Sequence, residues 1–309
     1  MRDTHDAAGL LRTEGWFGPV IRLRREPGMP RRVVIDLDPG PRVQVVAREV
    51  RIEGEVQRRA ESGDAASRRL MASVQAAGPL RPAEPFRNAA WADTKQQWLA
   101  TLRAGGHAAA RLVHSSADID VSAREARLQG VVDSGPLFIA GMVQVEGLAA
   151  QPLRTVEHLT SFVTGQPLTE ARLLDVQERL QKSGLFQSIS VSHEPVVETA
   201  AATPVLVRLR EAPLQQATVG LGVSTDGGPR ASLEHLHRRP FGWAITAHDK
   251  LEWGRDAQRY NGDFVTHPGP DFTRWLVGVQ VERLRSDTDD VLSQRLRVGR
   301  TQDTPMVER

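Results

Sequence analysis

The sequence predicts an α+β fold over residues 1–212, made of repeated β-α-α-β-β units, followed by about six antiparallel strands with one apolar face. Three observations predict it. The stretch VVDSGPLFIAGMVQVEGL, from Val131 to Leu148, echoes IDLDPGPRVQVVAREVRIEGE, which ends at Glu55. A helix-like segment that ends in Gly and runs into an alternating strand occurs three times, as RTEGWFGPVIRLR, RAGGHAAARLVHS and QKSGLFQSISVSH. After Pro213 the chain alternates apolar and polar residues in successive short runs.

The echo preserves strand faces. Its Gly-Pro to Glu-Gly segment is two residues longer in the first copy, and two is the side-chain period of a strand, so no side chain changes face. Gly15, Gly106 and Gly184 suit the left-handed residue just past a helix end. They lie 91 and 78 residues apart, a spacing of small domains rather than of short solenoid repeats.

Taken in order, residues 1–40 read as a partial unit that begins inside its second helix. Residues 41–135 form a second unit. Its strand Val43 to Ile52 leads to a helix around Ala65 to Ala77, stopped by Gly78-Pro79. A further helix carries Trp91, Trp98 and Leu102 on one face, read as core filling, and strands near Ala108–His114 and Glu125–Val132 follow. Residues 136–212 form the third and clearest unit. Strand Leu137–Val145 precedes a helix near Pro152–Val163 with Val156, Leu159 and Val163 at i, i+3, i+7. Gly165 and Pro167 break it, and Thr169 caps a helix whose buried stripe is Leu173, Val176 and Leu180. Strands Leu185–Ser192 and Pro204–Arg210 close the unit.

In residues 213–309, QQATVGLGVS places Ala217, Val219, Leu221 and Val223 on one face, and STDGGPR reads as a turn. GWAITAHDKLEW places Trp243, Ile245, Ala247, Leu251 and Trp253 together, and RWLVGVQVE does so with Trp275, Val277, Val279 and Val281. Weaker strands near Pro229–His237, Arg259–Thr266 and Val291–Arg300 fill the gaps. Trp243 and Trp253 are ten residues apart, roughly 33 Å along a strand and near 25 Å along a membrane normal at barrel tilt. That is the height of a lipid-facing band, although Asp249 interrupts the apolar face. Alternation alone fits a water-soluble sandwich equally well.

Composition narrows the functional classes. A net charge of +2 on 309 residues gives no surplus for nucleic acid, and the absence of cysteine excludes disulfides and Cys-ligated zinc. No run approaches the ~20 apolar residues of a membrane helix. The start, MRDTHDAAGLLRTEGW, has no secretory apolar segment, which by itself predicts an unexported chain. The sequence has no G-x-S-x-G, and Gly220-Leu-Gly222 lacks a nucleotide loop's third glycine. His235, His237 and His248 read as a polar lumen or rim rather than a metal set, and DTDD at 287–290 as a solvated loop. Arg238-Arg239-Pro240 is a basic turn that could meet phospholipid head groups. No catalytic, cofactor or metal residue is predicted, and the chain is expected not to be an enzyme.

The phrases DPGPRVQVVAREVRIEGE, DSGPLFIAGMVQVEGL and GLFQSISV resemble the polypeptide-transport-associated (POTRA) domains of outer-membrane assembly proteins. Their arrangement resembles the TamA branch of the BamA superfamily, and GVSTDGGPRASLEH looks like that branch's first barrel hairpin. The resemblance implies POTRA repeats followed by the first strands of a sixteen-stranded transmembrane β-barrel. It also implies a Gram-negative outer-membrane location with the POTRA domains in the periplasm, and a piece of a longer exported protein whose signal peptide is absent here. It further implies recognition of unfolded outer-membrane client strands by β-augmentation, with insertion at the barrel seam. The client edges it implies are Leu185, Phe186, Ser188 and Ser190, and Ala108, Arg111 and Val113; the seam strand is marked by Ala217, Val219, Gly220, Leu221 and Gly222. Trp243, Trp253 and Trp275 are the expected membrane-girdle aromatics. The implied partners are the lipid bilayer, client proteins and a TamB-like periplasm-spanning protein. A two-partner-secretion porin, a general BamA-type insertase and a soluble periplasmic binding module are the rival functions.

Overall fold

The computed structural model describes residues 2–26, 32–160, 163–224, 228–269, 271–286 and 288–302. The centre of the STDGGPR turn and the first Asp of DTDD lie outside the described residues. Two units divide the chain, one of residues 1–139 with 167–170 and 195–201, the other holding the rest.

In the first unit, α1 (Arg2–Thr13) ends at Gly15, whose φ of +94° is left-handed. A Cβ there would collide with the Phe86 carbonyl oxygen, so both conformation and space require glycine. Strands β1 (Val20–Glu26) and β2 (Arg32–Asp38) pair as an antiparallel hairpin. The next sheet takes β3 (Gln44–Glu53), β4 (Arg111–Asp120) and β5 (Glu125–Asp133) in the order β3-β5-β4, with β3 parallel and β4 antiparallel to β5.

Between β3 and β4 run helices α2 (Glu55–Glu61), α3 (Ala65–Ala76) and α4 (Asn88–Ala104). Asp64 caps α3 by accepting from the Ser67 amide at 3.1 Å. Trp98 is fully buried, meets Trp91 edge-on at 5.3 Å, and needs Gly130, where a Cβ would strike its ring. With Val45, Val56, Val74, Leu102, Leu128 and Val132 these rings fill the core, as the sequence predicts. Helix α2 is not predicted, because its seven residues bury only Val56 and so carry no periodic stripe. Strand β4 begins three residues later than expected. A turn closed by the Ala110 amide on the His107 carbonyl, at 2.9 Å, holds Ala108 outside the strand.

The second unit opens with β6 (Ala140–Glu146), α5 (Leu153–Thr160), α6 (Glu170–Lys182), β7 (Phe186–His193) and β8 (Thr203–Glu211), a β-α-α-β-β unit with sheet order β6-β8-β7. Val156, Leu159 and Val163 are buried, as are Val176 and Leu180, while Leu173 is only half-buried. Six strands follow: β9 (Gln215–Ser224), β10 (Gly228–His237), β11 (Ile245–Gly254), β12 (Ala257–Thr266), β13 (Thr273–Arg285) and β14 (Asp290–Gln302). From β10 onward each pairs antiparallel with its predecessor, giving one meander from β9 to β14. The fold class is the predicted one.

Candidate functional site: sheet faces, free edges and a domain joint

Strand register assigns every side chain of the meander to a face. Val219 lies opposite Leu233, Leu233 opposite Leu251, Leu251 opposite Tyr260, and Tyr260 opposite Val281. The row above runs Leu221, Ala231, Trp253 and then Gln258, Arg283 and Leu292, so it turns polar on β12 and β13, and the row nearer the β8 end of β9 includes Ala247, Phe264, Val277 and Val298. This face is mostly apolar and is uncovered: Val219 is 69% exposed and Leu221 84%. Among the described residues after Pro213, only Ala247 and Phe272 join the buried hydrophobic side chains. A water-soluble sandwich would turn such a face inward.

The opposite face is charged and paired. His248 meets Glu234 at 2.7 Å, Lys250 meets Glu252 at 2.8 Å, and Arg297 meets Asp263 at 2.9 Å. Arg259 bridges Glu282 at 3.1 Å and Glu252 at 3.2 Å. Paired opposite charges suit a wet surface, and those between neighbouring strands, His248 with Glu234 and Arg259 with Glu282 and Glu252, also hold the register.

His235 and His237 do not belong to that wet face. They stand on the apolar side, 6.1 Å apart and edge to face, whereas His248 points the other way to Glu234. The three histidines therefore form no common site. Asp249 also stands on the apolar side, but it is not left alone. The Tyr260 hydroxyl donates to it at 2.7 Å and the His235 ring is 3.9 Å away. Gly262 leaves the room, since a Cβ there would strike the Tyr260 hydroxyl.

The expected girdle aromatics occupy the two ends of this face. Trp253 is at the end of β11 remote from β8, and Trp275 stands near the start of β13, at the other end. Trp243 lies at the same end as Trp275 but precedes β11 and sits in the β10–β11 turn.

The expected seam residues Ala217, Val219, Gly220, Leu221 and Gly222 all lie on β9, which among the described residues pairs with β10 alone. Gly220 faces Ser232 on the wet side, so close that a Cβ would crowd the Ser232 hydroxyl at 2.6 Å.

The two expected client edges are edge strands, with corrections at their starts. On β7, Ser188 and Ser190 pair inward with Arg210 and Arg208, and among the described residues no strand covers their other side. Leu185 precedes the strand, is buried, and gives its carbonyl to the Ala212 amide at 2.8 Å, so it offers no free edge. Phe186 is buried beside it, and the register slips between Phe186 and Ser188. On β4, Arg111 lies at the strand start and holds Asp133 at 3.2 Å, the register slips around Val113, and Ala108 is outside the strand. The register slips near the start of each edge strand, a feature that disfavours strand addition there.

Sequence reasoning missed a joint between the last α+β domain and the meander, because it is built mostly from backbone groups. On the domain's side of it, the Glu211 carboxylate accepts from the amides of Ala149 at 2.8 Å, Ala150 at 2.9 Å and Gln151 at 2.8 Å and so fixes the loop that Arg239 grips. Burial pushes its pKa up, but these three donors outweigh burial and hold it below the ordinary glutamate value. Arg238 donates to the carbonyls of Gly184 at 2.9 Å and Pro213 at 2.6 Å, and burial lowers its pKa. Arg239 donates to the Ala150 carbonyl, and Arg274 to that of Lys182 at 2.6 Å. Both arginines of the basic turn are thus committed to protein carbonyls rather than free for phosphate. The signal in the sequence was Arg238-Arg239 itself, but not its target.

No protein-family model and no curated protein sequence matches the chain. Solved structures do. BamA from Haemophilus ducreyi lacking POTRA domains 1–3 aligns with a TM-score of 0.60 at 14% identity, over 82% of this chain and 46% of that one. CdiB from Acinetobacter baumannii aligns at 0.48 and 10% identity, over 87% and 51%. POTRA domains 3–5 of Haemophilus influenzae BamA align at 0.41 and 19%, over 68% and 79%. The chain spans about half the length of the Haemophilus ducreyi chain and has its fold, POTRA-like α+β units followed by part of an antiparallel barrel sheet.

Proposed function

We propose that the chain acts in the outer membrane of a Gram-negative cell as part of a factor that assembles or translocates outer-membrane proteins. Its α+β domains stand in the periplasm, and the meander contributes wall to a barrel. One observation supports this: a sheet with lipid-compatible side chains on one face and paired charges on the other ends in β9, whose outer edge no strand covers among the described residues. In hydrocarbon, unpaired backbone groups cost several kcal/mol each, so an incoming client strand that pairs with β9 satisfies both itself and the seam. The glycines at 220 and 222 weaken cross-strand packing there and favour exchange of partners. Edges β7 and β4 would present client strands beforehand by backbone pairing, with little demand on client sequence.

The test is photocross-linking on the full chain in vesicles, offered an unfolded outer-membrane barrel protein. Probes at Ser190 and Val219 are expected to capture the client, and a probe at Leu174, exposed on helix α6, is not. Capture at Leu174 to the same extent, or none at either strand, would reject strand addition. At a finer level we propose the TamA-like role, with a TamB-like periplasm-spanning partner. Binding of such a partner to the α+β domains tests it, and export of one dedicated substrate instead would assign the two-partner-secretion role.

A further inference from the structure

One carboxylate stands on the apolar face of the meander. Asp249 is the fifth of the ten residues of β11, two residues from Leu251, which lies in the row of Val219 and Leu233. That is close to the middle of the strand, where a lipid-facing ionisable group is expensive and marks a functional position. A leucine at 249 would meet lipid without that cost.

Its partners come from both neighbouring strands. On the β12 side Asp249 lies directly opposite Gly262. Tyr260, two residues earlier on β12, reaches back across that glycine, and its hydroxyl donates to Asp249 Oδ1 at 2.7 Å. A Cβ at 262 would strike the Tyr260 hydroxyl, so the bond needs the glycine. On the β10 side Asp249 lies directly opposite His235, whose Nδ1 is 3.9 Å from the other carboxylate oxygen, Oδ2. His235 packs edge to face on His237 at 6.1 Å, and His237 Nδ1 accepts from the Arg239 amide at 3.1 Å. None of these partners belongs to β11 itself. A β11 that is single, or paired on one side only, therefore carries this carboxylate with part of its company missing. Buried ion pairs add little net stability, and their best-attested use is to specify one arrangement over others.

We propose that Asp249, Tyr260 and His235 form a clasp that admits β11 to hydrocarbon only once β10 and β12 have paired with it. The three strands then cross as one unit rather than one at a time. Tyr260 and His235 are positioning residues in this device, and Asp249 is the group they must satisfy. This inference rests on the membrane reading of the meander given above.

The chain has no cysteine, so Leu251→Cys places a single fluorophore on β11. The full chain is refolded from urea into phosphatidylcholine vesicles that contain lipids spin-labelled deep in the acyl chain, and quenching of the label times its entry. In this background Tyr260→Phe is expected to slow entry roughly 10- to 100-fold, the worth of a hydrogen bond to a charged group. Asp249→Leu is expected to enter at least as fast as the parent, and Asp249→Leu combined with Tyr260→Phe to match Asp249→Leu alone. That rescue separates the clasp from ordinary packing, since loss of a packing hydroxyl would slow both backgrounds alike. His235→Leu should slow entry by a smaller factor than Tyr260→Phe, because its contact is longer than a hydrogen bond. Entry of Tyr260→Phe at the parent's rate, or equal slowing with and without Asp249, overturns the clasp and leaves the lipid-facing sheet standing. An unchanged rate in His235→Leu removes β10 from the device and overturns the three-strand unit. No deep quenching in the parent or any variant overturns the membrane reading, and the clasp with it.

Discussion

Val219→Arg places a charge on the apolar face of β9, and its cost can be worked from position. The ten residues of β9 extend roughly 33 Å, and Val219 is the fifth, close to the strand's midpoint. A lipid-facing arginine costs ~2–4 kcal/mol at a bilayer midplane and ~0–1 near an interface. The central value corresponds to a loss of about 30- to 1,000-fold in the folded population. If the same face met water, a site 69% exposed would tolerate the change within about 0.5 kcal/mol, roughly twofold. Thr218 supplies the control, because it is the adjacent residue, lies on the wet face and stands opposite Glu234. Thr218→Arg is therefore expected to be neutral or mildly stabilising. The assay is urea-dependent folding of the full chain into phosphatidylcholine vesicles, followed by tryptophan fluorescence. A Val219→Arg variant indistinguishable from the parent, or a Thr218→Arg variant equally damaged, would refute the assignment of faces.

Three further outcomes are expected. Trp98→Ala empties the centre of the first unit's core and should cost ~3–5 kcal/mol in urea unfolding monitored by circular dichroism, since Trp98 is fully buried. Phe241→Gly should raise stability in detergent by about 1 kcal/mol by relieving the left-handed strain, as urea unfolding would show. Glu211 has a lowered folded pKa, so its contribution to the joint is complete above its ordinary unfolded value and fades as pH falls through the folded one. Hydrogen exchange at Ala149–Gln151 should accelerate over that acidic window, and Glu211→Gln should abolish the pH dependence.

Much of the architecture was legible because it rests on period and punctuation. Alternation located all six strands of the meander, and Gly15, Gly106 and Gly184 marked helix ends by the left-handed conformation they adopt. Periodicity could not choose between lipid and a sandwich interior, since both need one apolar face; what the structure adds is that Leu221 and Val223 stand uncovered. Helix α2 escaped because one buried residue makes no pattern. Ala108 and Leu185 were misplaced because turns and helix-end contacts claim their neighbourhoods, which alternation does not register. Asp249 counted against a membrane face until pairing brought Tyr260 and His235 to it from neighbouring strands. The joint was invisible for a related reason: Arg238 and Arg239 bind carbonyl oxygens, which every residue has, so their targets leave no mark in the sequence.

Spin labels placed one at a time along β11, from Ile245 to Gly254, measure the environment of each residue most directly. In vesicles, accessibility to oxygen should peak at 245, 247, 251 and 253, while accessibility to a water-soluble nickel chelate should peak at 246, 248, 250 and 252. A period of two with these phases is the signature of lipid on one side and water on the other. Uniform access to the chelate along the whole strand, or the opposite phase, would contradict a membrane role for this sheet.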